Sequence, residues 1–386
     1  MSAKLQVETL LTRTRHVTLR LRKLRTLLRP SAATIIRRRL LTAHRSRPLE
    51  SNTDPARNRA VILAYHRVTH VTSDPQLLCV HPEQFLEQLD VLKRYFKVVP
   101  LRALAERLER GDSVAGMTAV TFDDGYADNL LVAKPILERC EVPATMFVAS
   151  GYVGGSHGFW WDELERILLG TTALPRTLRL QVGGQVFRWS LGDDADAPIE
   201  NVMNWHTGMQ WTPTLRHQAY RSLHSVLYAL APEQRELALD RLRQWAGLSG
   251  LAPPSHRTLT EDELIELSRS ELVEIGGHTI SHPALCTLPL SSQEAQIAGG
   301  KRWLEERVDR PVTSFAYPYG SLASYDSRTI DVVRAAGFRC ACTTFADIVR
   351  PGDDLYQLPR LLVRDWDGEE FERQLSTHIN HWHETT

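Results

Sequence analysis

Met117-Thr-Ala-Val-Thr-Phe-Asp-Asp-Gly-Tyr126 is the stretch that decides how the rest of the chain is read. Six apolar or β-branched residues end abruptly in two carboxylates, Asp123 and Asp124, and a glycine. β-Propensity opposes aspartate within a strand. The pair belongs at the C-terminal lip of a buried parallel strand, where open α/β sheets and barrels keep their ligand sites. Gly125 permits the sharp exit needed before Tyr126 and Ala127 start a helix. Neighbouring carboxylates repel, so both stay ionised only with a cation beside at least one of them. That requirement directs attention to metal ligands elsewhere in the chain.

Working outward, Ala60-Val-Ile-Leu-Ala-Tyr-His66 reads as a first buried strand with a polar tip. Helical spacing follows over 82–96 and 101–110, with a short strand at 97–100 between them. Residues 127–140 read as a helix and 142–149 as a strand. Strands alternating with helices imply a parallel sheet or barrel. The rhythm breaks over 154–260, a Trp-rich stretch with helix-like runs at 214–230 and 232–245, read as one large, mostly helical insertion. It resumes with strands at 272–277, 312–317, 339–344 and 356–363, interleaved with helices at 291–308 and 324–336. A helix at 369–378 closes the chain. The domain reading is therefore an arm and linker over 1–59 and a barrel over 60–386 that carries the insertion.

The composition, 386 residues at 42% hydrophobic and 24% charged, is that of a globular chain with a large core. Its five cysteines lack Cys-x-x-Cys spacing, which argues against a disulfide framework or zinc ribbon and fits a reducing compartment. The net charge of zero hides an asymmetry. Residues 1–60 hold 15 Lys and Arg against three acids, net +12; the remainder holds 31 against 43, net −12. Val17, Leu21, Leu24 and Leu28 make one apolar helical face within that basic arm, as in a helix lying on an anionic membrane surface. The alternative is a solvated arm. No run has the ~18 apolar residues of a spanning helix, no signal-peptide pattern is present, and the aromatics that would stack bases are absent, which excludes nucleic acid. These features place the chain on the cytoplasmic side.

A second cluster, Glu274-Ile-Gly-Gly-His-Thr-Ile-Ser-His282, also ends an apolar run. His278 and His282, four apart, fall on one side of a turn. Two histidines and one carboxylate, with Asp124 as the choice, form a hydrolytic metal set that leaves a position open for water. A third cluster, Ser314-Phe-Ala-Tyr-Pro-Tyr-Gly320, ends a strand in a Pro/Gly turn whose amides are able to donate to an oxyanion.

Together the Thr-Phe-Asp-Asp-Gly motif at 121–125, the His-x-x-x-His motif at 278–282 and the Tyr-Pro-Tyr-Gly turn at 317–320 resemble the polysaccharide deacetylase family (carbohydrate esterase family 4, the NodB homology domain). The resemblance covers roughly 60–370 with the insertion set aside. It implies a distorted (β/α) barrel of about seven strands and a divalent metal, usually zinc, held by Asp124, His278 and His282. Asp123 would be the general base, the amide of Tyr319 would help hold the oxyanion, and the substrate would be an N-acetylated glycan. Two family features are missing. The late Leu-x-x-His motif is absent: the comparable strand reads Tyr356-Gln-Leu-Pro-Arg-Leu-Leu-Val363. His66 replaces it as the candidate general acid, in a segment resembling the Tyr-His of exopolysaccharide deacetylases with permuted motifs. The base-orienting arginine of the third motif is Ala316 here, and Arg360 is the candidate to pair with Asp123 in its place.

The leading expectation is a metal-dependent de-N-acetylase of a glycan, polymeric or lipid-linked. The alternatives are a non-catalytic carbohydrate- or membrane-binding protein on the same barrel, and a deacylase for another N-acyl group such as formyl. Trp160 and Trp161 read as core anchors of an inserted helix rather than as a sugar-stacking face.

Overall fold

The structure, a computed structural model, describes residues 58–155, 158–198, 205–248 and 254–380. Residues 1–57 lie outside these, and with them the basic helix and any membrane contact expected of it.

Strand β1 (Ala60–Tyr65) is apolar and buried at every position, as only a strand covered on both faces is. A small parallel pair, β2 (Arg67–Val68) with β3 (Cys79–Val80), follows it. Helix α1 (Pro82–Tyr95) starts on a proline, whose missing N–H costs nothing there, and buries Phe85, Leu89 and Leu92. After β4 (Lys97–Val98), α2 (Leu101–Arg110) ends at Gly111 in the left-handed region, the usual helix stop. Next comes β5 (Met117–Phe122), again wholly buried, paired in parallel with β1 from Ala60↔Met117 to Tyr65↔Phe122. The helix expected over 127–140 is a π-turn at Asn129–Ala133 running into α3 (Lys134–Cys140). Strand β6 (Ala144–Val148) adds to β5.

Helix α4 (Trp160–Leu168) then opens a different region. A β-hairpin that the sequence reading did not list, β7 (Thr177–Val182) with β8 (Gln185–Ser190), precedes α5 (Leu215–Tyr228) and α6 (Pro232–Trp245). Gly183 and Gly184, both at positive φ, make its two-residue turn. These elements bury a core of their own, from Phe159 and Trp160 to Leu242, which Tyr126 and Ala149 join from the barrel side.

The barrel resumes through α7 (Glu261–Ser268), whose Thr260 and Glu263 form a capping box, and β9 (Val273–Gly277). It continues through α8 (Leu290–Val308), β10 (Ser314–Ala316), α9 (Ser327–Ala335) and β11 (Cys340–Cys342). The strand expected over 356–363 shrinks to β12 (Leu361–Leu362), because Pro359 has no N–H to give a ladder. Helix α10 (Gly368–Asn380) ends the described chain.

The main sheet runs β11-β10-β9-β6-β5-β1-β12, every pairing parallel, with β4 pairing to β5 off that path. Leu358 bridges back to Cys342, so the 358–362 segment touches both ends of the sheet and draws it round into a distorted barrel. The weak seam is β9–β10, held by the single register pair Phe315↔Gly277. Parallel strands put all their C-terminal ends on one side, and every site residue singled out above lies at or near that side. Among the described residues no helix is long and apolar enough to cross a membrane.

Candidate metal centre and active site

The two carboxylates leave β5 in different directions. Asp123 is still on the ladder, its amide donating to Tyr65 O at 2.9 Å. Asp124 has φ +79°, in the left-handed region, and Gly125 follows at +83°. A Cβ on Gly125 would sit 3.0 Å from Val148 Cγ1, so the turn needs glycine for room as well as for φ. Thr279, His282 and Tyr319 also hold positive φ. Strained backbone of this kind collects where side chains must be aimed, and here it collects on three separate strand ends.

His278 leaves β9 directly after Gly276 and Gly277. A Cβ on Gly276 would run into the Phe147 ring, and one on Gly277 would lie 2.9 Å from Phe338 Cζ. The Gly-Gly pair therefore lets the strand press against its neighbours just before the imidazoles. His278 Nδ1 meets Ala316 O at 2.7 Å, which orients the ring and directs Nε2 inward. The 279–282 turn is tied by Thr279 Oγ1, which accepts from His282 N, and by Gln296 Oε1, which accepts from the amides of Ile280 and Ser281.

The result is convergence. His278 Nε2 lies 3.5 Å and His282 Nε2 3.4 Å from Asp124 Oδ1. All three ligand-type atoms lie within 4.8 Å of one another, and all three residues are buried. Asp124 Oδ1 has no hydrogen-bond partner, an orphan that a buried carboxylate does not tolerate for nothing. Donor atoms about 2.0–2.2 Å from a tetrahedral ion stand roughly 3.3–3.6 Å apart, so the spacing suits a divalent cation. Burial first, then the neighbouring His278, holds His282 well below the usual histidine range, leaving a neutral ring with a lone pair to give. The residues present fit the metal that the family implies.

Asp123 stands apart from this trio, gripped by Arg360. Arg360 Nη1 donates to Asp123 Oδ1 and Nη2 to Oδ2, both at 2.7 Å, a bidentate pair. The guanidinium is fully buried; its Nε donates to Thr343 O at 2.8 Å and its Nη1 also to Thr121 Oγ1 at 3.1 Å. Burial alone would raise the Asp123 carboxyl, but Arg360 overcomes it and brings the group down to about 2. Ala316, at the position where an arginine was looked for, supplies a backbone oxygen to His278 instead.

His66 tips β1, half-buried; its backbone oxygen accepts from Asn129 Nδ2 at 2.9 Å. Burial lowers its pKa; the charges of Asp124 and then Asp123 act the other way, and those of Arg360 and Arg364 lower it further. Tyr319, at φ +63°, packs its ring on His282 at 4.6 Å and accepts a hydrogen bond from Trp160 Nε1 at 3.0 Å. His378 sits on the last turn of α10, and His381 and His383 lie outside the described residues.

Sequence reasoning passed over the wall behind the imidazoles. Trp161 and Phe159 meet His282 edge-on at 5.0 and 5.8 Å, and Trp161 Nε1 donates to Tyr126 OH at 2.9 Å. Trp160 and Trp161 are both buried in the second core. Nothing in Phe-Trp-Trp says that one edge of a core anchor will face His282, more than 100 positions away.

The parallel barrel thus brings one carboxylate and two imidazoles together at its lip and braces a second carboxylate with Arg360. The sequence profile of the polysaccharide deacetylase family matches residues 110–170 and 244–341 of this chain. Among solved structures, the Streptococcus pyogenes deacetylase PplD in complex with acetate aligns at 16% identity and TM-score 0.50, over 82% of this chain and 97% of that one. IcaB from Ammonifex degensii aligns at 18% identity and TM-score 0.50, over 83% and 97%. At these identities the likeness establishes the fold. Comparison with curated proteins finds no match.

Proposed function

We propose that this protein is a metal-dependent hydrolase that removes N-acetyl groups from amino sugars of a polysaccharide or lipid-linked glycan. The observation that carries the reading is the convergence of Asp124 Oδ1, His278 Nε2 and His282 Nε2, with Asp123 held outside the trio by Arg360. The match to the polysaccharide deacetylase profile supports a glycan acetamide as the bond attacked.

Asp124, His278 and His282 would hold the ion, zinc being the first choice for that donor set. When bound, such an ion polarises the acetamido carbonyl and acidifies water. Asp123 takes a proton from the attacking water; its bond to Arg360 fixes the carboxylate's position and keeps it ionised through the working pH range. The Tyr319 amide donates to the developing oxyanion from a turn that its positive φ holds open. His66 protonates the leaving amine. Burial keeps that imidazole neutral at rest, so it must first acquire a proton, and the charges of Asp124 and Asp123 are what favour the imidazolium. Arg360 is a positioning residue that acts through Asp123. The arm over 1–59, the barrel over 60–386 and the insertion over 154–260 remain the proposed division of the chain.

Purified protein loaded with Zn2+ should release acetate from an N-acetylglucosamine oligomer, and a chelator should stop it. Asp123→Asn should lower kcat by about 10²–10⁴ while metal content stays unchanged, as expected for loss of a general base. Full acetate release from metal-loaded Asp123→Asn would overturn the base assignment. Metal binding without any acetate release from the wild type would favour the binding-protein reading.

A further inference from the structure

The lip around the candidate centre is uneven in charge. Three stretches of the chain, 222–232, 275–293 and 311–325, hold no Asp, Glu, Lys or Arg, although 24% of the whole chain is charged. The second and third include the C-terminal ends of β9 and β10, so they bring His278, His282 and Tyr319 to the lip and then run outward from it. The first ends in the turn between α5 and α6.

The fold ties the three together. Cys286 N donates to Ser324 O at 3.0 Å, and Cys286 Sγ to Ala323 O at 2.9 Å. Tyr228 packs its ring on Tyr319 at 4.6 Å and hydrogen-bonds the Ser321 side chain. The outer turns are braced from within. Ser324 N and Oγ both donate to Ser321 O, at 2.9 and 2.6 Å, while Thr287 N and Leu288 N donate to Ala284 O and Leu285 O at 3.0 Å. Braced in this way, they hold Leu322 at 74% exposure and Leu290 at 43%, with Ala323 and Pro289 exposed next to them in the chain. Asp326, which bounds the third stretch, is already occupied: it accepts from Thr329 N at 3.0 Å and pairs with Arg328 at 2.6 Å. The lip beyond β1 and β12 is different. Arg364 and Asp365 follow β12 there, and Asp365 pairs with His81.

One exposed leucine needs no explanation. Two on linked turns without a charge between them form an apolar ledge. Leu322 lies three residues from Tyr319, and Cys286 four from His282, so whatever covers the ledge sits close to the bond attacked. The hydroxyls of a sugar chain would find no charged partner on it. An anionic membrane surface would be met by Lys or Arg, which all three stretches lack.

We propose that this ledge receives a long hydrocarbon chain carried by the amino sugar, so that the substrate is a lipid-linked glycan rather than a free polysaccharide. The inference rests on the de-N-acetylase reading and narrows its substrate class.

The test compares n-dodecyl and methyl N-acetylglucosaminide, the former below its micelle concentration, on full-length protein loaded with Zn2+. The dodecyl glycoside should show a kcat/KM roughly tenfold or more above the methyl glycoside, the gain expected from covering two leucines. Leu322→Gln/Leu290→Gln should erase that gain through KM and leave the methyl glycoside's kinetics unchanged. Both side chains are exposed, so the variant should keep the wild-type Tm. Equal kcat/KM for the two glycosides in the wild type overturns the proposal, and so does a dodecyl gain that survives in the double variant. Binding to phosphatidylcholine vesicles that the double variant loses, without any dodecyl gain, overturns it in favour of a membrane-facing lip. If neither glycoside releases acetate, the de-N-acetylase reading is what fails, and calorimetric Kd values then decide the ledge. Tighter dodecyl binding that the double variant abolishes supports it; equal binding of the two glycosides overturns it.

Discussion

Strands β1 and β5 are buried at every position, whereas β7 alternates buried with exposed and β8 is exposed or half-exposed along its length. The barrel strands are covered on both faces, by helices outside and by packed side chains within. The hairpin has only one face to bury, and Leu178, Leu180 and Val182 turn it toward the core that Leu239 and Leu242 of α6 share. The difference sets how a substitution is felt. A change inside the barrel displaces the strand ends that aim Asp123, Asp124 and His278. A change in the covering region reaches the chemistry only through the few side chains that touch it, chiefly Phe159, Trp160 and Trp161.

The pair that should break the barrel most severely is Arg360–Asp123. Arg360→Ala strands a buried carboxylate without its partner, a loss on the order of 3–5 kcal/mol of unfolding free energy. Urea unfolding of the metal-free protein reads it. Arg360→Lys should recover only part, because an ammonium cannot serve both carboxylate oxygens and Thr343 O in one plane. A loss below about 1 kcal/mol for Arg360→Ala would mean that water replaces the guanidinium and that the barrel interior is far less closed than its contacts imply.

The packing of β9 against β6, just before His278, is next. Gly276→Ala places a methyl group against the Phe147 ring and should cost about 1–3 kcal/mol, while also lowering metal affinity, because His278 lies two residues further on. Gly183→Ala, in the hairpin turn at φ +57° with open space around its Cβ, should cost less and leave metal affinity unchanged. Equal effects on metal affinity from the two would erase the distinction between the regions.

Acid titration sharpens the same point. The Asp123 carboxyl is depressed in the folded protein, to about 2 from the ordinary value just under 4. A depressed group contributes stability above its unfolded value and loses it as pH falls through the folded one. The stability gap between wild type and Asp123→Asn should therefore close progressively between about pH 4 and pH 2. A gap independent of pH over that window would show that Arg360 does not hold Asp123 ionised.

How much of this was legible beforehand follows from the same contrast. Runs such as Ala60–Tyr65 and Met117–Phe122 announce buried parallel strands, because apolar side chains on both faces leave few other folds. The sharp change to Asp-Asp or His at their ends marks the lip. The hairpin at 177–190 went unread because its two strands carry Arg179, Gln181, Gln185 and Arg188 among the apolar residues, and short alternating runs between longer helices carry little weight. Arg360 could be nominated from its strand, but no spacing rule says that its fork will meet both oxygens of a residue 237 positions away.

The smallest effect bears on whether the covering region steers the chemistry or only encloses it. Trp160 Nε1 donates to Tyr319 OH at 3.0 Å, and Tyr228 packs its ring on Tyr319 at 4.6 Å. Trp160→Phe keeps most of the apolar volume and removes only the donor, a change of about 0.5–1.5 kcal/mol. If that bond holds Tyr319 so that its amide faces the oxyanion, the loss should appear in kcat, by up to roughly tenfold, with KM nearly unchanged. The turn has anchors of its own: Thr344 Oγ1 donates to Tyr319 O at 2.8 Å and Thr344 N to Gly320 O at 3.0 Å. An unaltered kcat in a folded Trp160→Phe protein would mean that these barrel contacts suffice to set the turn, and that the tryptophan serves the second core alone.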